Sequence, residues 1–281
     1  MRTPPGALPR LVASDLDGTL LREDGSVSAR TAAALEQARR AGTVVVLVTA
    51  RPPRWVTELA AALACHTTVI CANGALIYDS RRGRIVSERA LAPATAGTLV
   101  ARLRRAVPDL AFAVEHADGF AHEPGYAPRW PAEVTTVAPI EELVRTPVAK
   151  LLARHGGALD DTTLLARCRA AAGALAEVSV SSLGGLVEVA AAGVTKGAAL
   201  GTLAATLGLG PTDTIAFGDM VNDIPMLAWA GWGVAVANAH PALRQVADEI
   251  TAAADDDGVA RVLERLLPTR QRPGRAPLRP A

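Results

Sequence analysis

The chain has 281 residues, enough for one large domain or for a core carrying an inserted second one. Its 29 basic residues nearly balance its 28 acidic ones, and the net charge of +1 supplies no global field for gathering nucleic acid or an anionic membrane. Hydrophobic residues make up 50% but aromatics only 3%, so the interior is expected to be built from small aliphatic side chains.

The opening MRTPPGALPR has no apolar stretch of the kind a leader uses, and no uninterrupted apolar run reaches membrane-spanning length, so the cytoplasm is the expected compartment. The three cysteines, Cys65, Cys71 and Cys168, lack metal-ligand spacing and read as reduced thiols. In chain order, residues 11–15 form a short apolar run that ends in an acidic, glycine-containing turn. Ser28 suits the N-cap of a helix ending near Gly42, and TVVVLVT at 43–49 reads as a strand buried on both faces. Pro52 and Pro53 fit the start of a helix running to about residue 64, followed by a strand at 67–72 and Asn73-Gly74.

From about 80 to 190 the texture changes. Segments 111–116 and 119–123, joined through Ala117-Asp118, predict an antiparallel hairpin. Residues 148–154 and 178–189 predict further strands, with a helix near 162–175 between them. After Gly193 the alternation of helix and strand resumes: helices at 196–207, 222–229, 240–247 and 259–267, and strands at 214–218, 233–237 and 249–252. The expected fold is α/β, a doubly wound, Rossmann-like parallel sheet with an inserted antiparallel α+β domain. The expected boundaries are 1–80 and 191–268 for the core, 81–190 for the insertion, and 269–281 for a disordered Arg/Pro-rich tail.

In open parallel sheets ligands bind at the carboxyl ends of the strands. Four carboxylates, one hydroxyl and one ammonium are predicted to meet there: Asp15, Asp17, Asp219, Asp223, Thr49 and Lys196. Carboxylates this close repel one another, and a divalent cation relieves that. Oxygen donors without His or Cys suit Mg2+ rather than zinc. Phosphoryl transfer matches such a set, because it needs an in-line nucleophile, a metal, a cation on the phosphoryl oxygens and a proton donor.

DLDGTL at 15–20, TAR at 49–51, the segment around Lys196, and GDMVND at 218–223 resemble the four motifs of the haloacid dehalogenase superfamily. CANGA at 71–75, the insertion after it and VAVANAHP at 234–241 resemble its Cof-type sugar-phosphatase branch, which carries a large cap. The resemblance implies that Asp15 attacks phosphorus and becomes an aspartyl-phosphate, while Asp17 protonates the leaving alcohol and later activates water. It implies a Mg2+ held by the Asp15 side chain, the Asp17 carbonyl and Asp219, supported by Asn222 and Asp223. Thr49 and Lys196 would engage the phosphoryl group, and Arg51, Asn73 and Asn238 are candidates for substrate binding, with the cap hinge as the alternative contact for Asn73 and Asn238. The implied substrate is a small phosphorylated metabolite such as a sugar phosphate.

Taken singly these residues have ordinary readings: DxDG as an Asx turn or calcium loop, Thr49 as a cap, Lys196 as a solvated helix residue. Their order in the chain favours the site. Asp255, Asp256 and Asp257 read as dipole compensation ahead of the last helix. His116, His122 and His155 read as solvated or structural, and Trp55, Trp229 and Trp232 as packing. Trp130 is a candidate platform for substrate, and Glu188, at the end of a strand leading back to the core, is a lesser candidate for facing the site. A phosphotransferase or phosphomutase on the same intermediate, and a catalytically idle phosphometabolite-binding module, are the competing functions. Oligomeric state is not legible.

Overall fold

The computed structural model describes residues 4–63, 68–128, 134–157, 159–181 and 184–267. Cys65, Trp130 and the 269–281 tail lie outside the described residues.

The strands are β1 Leu11–Asp15, β2 Val44–Val48, β3 Thr68–Cys71, β4 Leu76–Asp79 and β5 Arg84–Glu88. They continue with β6 Ala111–Glu115, β7 Phe120–His122, β8 Val134–Val137, β9 Lys150–Arg154, β10 Ala176–Ser179 and β11 Leu186–Ala191, and end with β12 Thr214–Gly218, β13 Trp232–Ala235 and β14 Glu249–Ile250. They make an eight-stranded sheet, ordered β14-β13-β12-β1-β2-β3-β4-β5, and a six-stranded sheet, ordered β10-β11-β9-β6-β7-β8.

In the larger sheet the six strands from β14 to β3 run parallel, and β4 and β5 add antiparallel to the β3 edge. The central strands are apolar on both faces because both are covered. Val12, Val45, Leu47, Ile215 and Phe217 pack against helices Ala29–Arg40 and Gly258–Leu266. Leu11, Ala13, Val46, Val48 and Ala216 pack against helices Lys196–Thr206 and Ile224–Trp229. The sheet is therefore doubly wound.

Several expected bounds shift. Arg84–Glu88 falls past residue 80 yet pairs with β4, because Asp79 accepts from the N–H groups of Arg81 and Arg82 and turns the chain back into a hairpin. The six-stranded sheet is not wholly antiparallel, since β7 and β8 run parallel. The helix expected from Pro52 is broken into a 3-10 turn, Pro53–Trp55, and a short helix, Thr57–Ala62. That expected over 222–229 divides likewise into Val221–Asp223 and Ile224–Trp229. The 240–247 helix shrinks to Pro241–Arg244. No described helix is long and apolar enough to cross a membrane.

The smaller sheet shows how one strand serves two faces. Phe112, Val114, Leu151, Ala153, Val187 and Val189 pack under helices Pro93–Ala106 and Asp161–Ala172. The alternate residues, Ala113 and Glu115 on β6, Lys150, Leu152 and Arg154 on β9, and Leu186 and Glu188 on β11, must point the other way. Registers Glu115↔Lys150, Ala113↔Leu152 and Glu188↔Leu152 bring them side by side, and six of the seven line a cavity over the core site.

Candidate active site

The site is assembled at the carboxyl ends of neighbouring parallel strands. Asp15 is the last residue of β1, Thr49 follows β2, Asn73 follows β3, and Asp219 follows β12. The turn after β1 is tight: the N–H groups of Thr19, Leu20 and Leu21 all donate to the Leu16 carbonyl. Gly18 at its apex has φ +76°, and a Cβ there would lie 2.6 Å from Asp219 Oδ2, so only glycine lets the two acidic loops approach.

Lys196 opens helix Lys196–Thr206, a place where the dipole disfavours a cation. Two carboxylates reverse that preference. Its Nζ donates to Asp15 Oδ1 at 2.5 Å and to Asp223 Oδ1 at 2.6 Å, and the side chain is almost wholly buried. The helix comes this close because Gly197 has no side chain; a Cβ there would stand 2.2 Å from the Pro225 carbonyl oxygen.

Asp15, Asp219 and Asp223 each offer an oxygen, and these oxygens lie within 4.8 Å of one another. The other oxygen of Asp223 accepts from the N–H groups of Asp219 and Met220, at 3.1 and 2.9 Å, so Asp223 braces the loop that carries Asp219. Thr19 Oγ1 donates to Asp219 Oδ1 at 2.8 Å. Burial pushes the Asp15 carboxyl well above the ordinary range; Lys196 pulls against that, and the charges of Asp223 and Asp219 add to the rise. Burial and then the Asp223 charge lift Asp219 to about 6. Burial alone would depress Lys196, but Asp15 and Asp223 outweigh it and hold the ammonium above its usual value.

One lysine thus faces three buried carboxylates. Asn222 Oδ1, buried in the same loop, has no hydrogen-bond partner among the described residues. Hard oxygen donors, excess negative charge and an unsatisfied carbonyl oxygen together fit a divalent cation of the Mg2+ or Ca2+ kind.

The remaining expected residues divide. Asp17 is half exposed, and Arg51 holds it through Nε at 2.8 Å and Nη2 at 2.5 Å, so Arg51 orients an acidic side chain here. Thr49 is fully buried, and its Oγ1 accepts from the Arg51 N–H at 3.0 Å, fixing that turn. Asn238 spends both ends of its amide on backbone, donating to the Gly18 carbonyl at 2.7 Å and accepting from the Ala254 N–H at 3.0 Å. It shapes the acidic turn and does not line the cavity. Asn73 bonds Asn222 and Glu188.

Above these residues is a cavity of about 620 Å3, lined by Asp15, Asp17, Arg51, Lys196, Met220 and Asn222 from the core and closed by the six-stranded sheet. Its roof holds residues that the motifs did not point to. Phe120, Tyr126 and Leu152 form an apolar wall, and Arg154 lies 5.5 Å over the Tyr126 ring. Glu115 pairs with Arg54 of the core, and Lys150 with Glu188. Burial lifts the Glu115 carboxyl above its ordinary value against the pull of Arg54. A signal existed for these: a lone charged residue at an alternate position of an apolar strand.

Trp55 lines the cavity and is 40% exposed, unlike the packed Trp232. His116 and His122 donate to the carbonyls of Pro147 and Glu123, and His155 accepts from the Gly157 N–H, so all three bond backbone. Asp257 pairs with Arg22 and Asp255 accepts from the Glu23 N–H, tying down the chain after the acidic turn; Asp257 makes no side-chain cap bond to the last helix.

A doubly wound core with an acidic carboxyl-end rim and an inserted roof defines a class of capped α/β hydrolases. The family model described as haloacid dehalogenase-like hydrolase matches residues 12–263, and the chain belongs to that family, in its Cof-type branch. Among its relatives, the phosphoglycolate phosphatase of Halorubrum lacusprofundi is 33% identical, over 91% of this chain and 96% of that one. The HMP-PP phosphatase of Serratia proteamaculans is 31% identical, over 86% and 88%. A haloacid dehalogenase-like hydrolase from B. subtilis superposes with a TM-score of 0.80 at 26% identity, covering 92% of this chain and all of that one.

Proposed function

We propose that this phosphatase, a phosphoric monoester hydrolase, cleaves a small phosphorylated metabolite with Mg2+ through an aspartyl-phosphate formed on Asp15. The observation that carries the reading is the buried group of Asp15, Asp219 and Asp223 around Lys196, at the floor of a roofed cavity. The differing substrates in the relatives' names, phosphoglycolate and HMP-PP, have a phosphorylated small molecule in common.

Asp15 and Asp219 would hold Mg2+ through their side chains, with the Asp17 carbonyl and Asn222 beside them. When bound, the ion offsets the carboxylate repulsion and draws charge from the phosphoryl oxygens. Lys196 favours the ionised form of Asp15 against burial and fixes one of its oxygens, leaving the other to attack phosphorus. Asp17, oriented by Arg51, gives a proton to the departing alcohol and then takes one from the water that opens the acyl phosphate. The roof excludes bulk water from that intermediate and selects the leaving group by its apolar wall. The cavity volume lies within the usual span for metabolite sites, about 300–1,000 Å3.

The test is Asp15→Asn assayed with Mg2+ on an aryl phosphate. Phosphate release should fall by about 10^4-fold or more, as for loss of other covalent nucleophiles. Turnover at the wild-type rate would overturn the assignment.

A further inference from the structure

Four buried polar side chains run in a line from the roof to the acidic loop. Lys150, on β9, donates from Nζ to the Ala50 carbonyl at 2.8 Å and to Glu188 Oε1, so it grips the core turn between Thr49 and Arg51 as well as its neighbour on β11. Glu188 Oε2 accepts from Asn73 Nδ2 at 2.9 Å, and Asn73 Oδ1 accepts from Asn222 Nδ2 at 3.0 Å. All four residues are more than nine-tenths buried.

The polarity of this line has one origin. Burial raises the Glu188 carboxyl, but the Lys150 charge and the bonds from Lys150, Ser181 and Asn73 outweigh it and keep the group ionised. A carboxylate can only accept, so Asn73 must turn its amide nitrogen toward Glu188. Its carbonyl oxygen then faces Asn222, which must answer with its own nitrogen. The last free atom of the chain is Asn222 Oδ1, the buried oxygen without a partner. Flipping both amides would instead leave an N–H donor as the unpartnered end of the line.

We infer that Glu188 is a positioning residue, which through Asn73 turns the Asn222 carbonyl oxygen toward the cation and so couples closure of the roof to metal binding. The inference rests on the cation reading given above. Lys150 makes the coupling physical, since Lys150 and Glu188 reach Asn73 and the Ala50 carbonyl only when the six-stranded sheet sits on the core.

The experiment measures Mg2+ binding to the metal-free, full-length protein by titration calorimetry. In Glu188→Gln the new amide can donate to Asn73, the polarity is no longer fixed, and affinity should fall about tenfold, as for loss of other groups that orient a metal ligand. Adding Asn73→Asp restores an acceptor-only group in the middle of the line without changing the total charge, and aspartate tolerates the φ of +56° there. The double variant should bind within about threefold of wild type. Equal affinity in wild type and Glu188→Gln overturns the inference, and so does a double variant no tighter than the single one. Wild-type protein that takes up no Mg2+ defeats the cation reading itself. If Glu188→Gln does not fold, Asn73→Gly removes the relay without backbone strain, and unchanged Mg2+ affinity there is equally fatal.

Discussion

The two walls of the cavity handle charge in opposite ways. On the floor, Lys196 is shared between Asp15 and Asp223 while Asp219 has no ion-pair partner among the described residues, so negative charge is left over. On the roof each carboxylate has its own cation, Glu115 with Arg54 and Glu188 with Lys150, and the space between is apolar. An unbalanced floor suits a bound cation. A balanced roof contributes shape and dryness, which can vary from one enzyme to the next while the chemistry stays fixed.

The largest effect should follow from removing the cation that Asp15 and Asp223 share. Lys196→Met leaves Asp15 and Asp223 buried with no opposite charge, which costs on the order of 3 kcal/mol of stability. Turnover should fall by about 10^3-fold because Asp15 loses both its orientation and the charge that favours its ionised form. Urea unfolding and steady-state assays on an aryl phosphate check the two parts. A variant as stable as wild type would mean that the floor is already balanced without the lysine.

An intermediate effect should appear in the response to pH. Asp219 titrates near 6 in the folded protein against an ordinary 3.8. Between those values the folded state holds a proton that the unfolded chain has released, so stability falls as pH rises, and the whole penalty is present above about pH 6. Binding a cation to deprotonated oxygens removes that penalty, whereas at pH 5 it must first displace the proton. The rise in melting temperature on adding Mg2+ should therefore be about twofold larger at pH 7.5 than at pH 5. Equal shifts would show that Asp219 is ionised at both.

The sequence exposed the floor and hid the roof for a physical reason. Asp15, Thr49, Asp219 and Lys196 sit at strand and helix ends, where a polar residue breaks an apolar run and the topology fixes its direction. The DxDG spacing implied a tight turn, and Gly18 with its positive φ provides it. The partners of Arg51 and Asn238, Asp17 and the Gly18 carbonyl, were not legible, because they are set by turn geometry that spacing does not encode. The roof is made by residues far apart in the chain, from Ala113, Leu152 and Glu188 on adjoining strands to Phe120 and Tyr126, and the register of β6, β9 and β11 brings them together. Glu188 was singled out by its place on a strand returning to the core, and alternation alone would have flagged Glu115 and Lys150 as charges on apolar strands, but not what they meet. The β4–β5 hairpin escaped because its turn, held by Asp79, lies just where the texture of the chain changes.

The smallest effect tests whether the roof only selects. Leu152 faces the cavity beside Phe120 and Tyr126 and is almost wholly buried. Leu152→Ala widens a space that already exists rather than opening a sealed void, so the stability loss should be about 1–2 kcal/mol, below the usual 2–5 for a core leucine. Lost contact with a bulky leaving group should raise KM for such an ester about tenfold relative to a compact one, since a few methylenes are worth about 1–3 kcal/mol of discrimination. Because Leu152 carries no polar atom that reaches the phosphoryl group, kcat should stay within about twofold for both esters. If kcat fell as far as KM rose, the roof would be contributing to the transition state, and the division between a reactive floor and a selective roof would have to be abandoned.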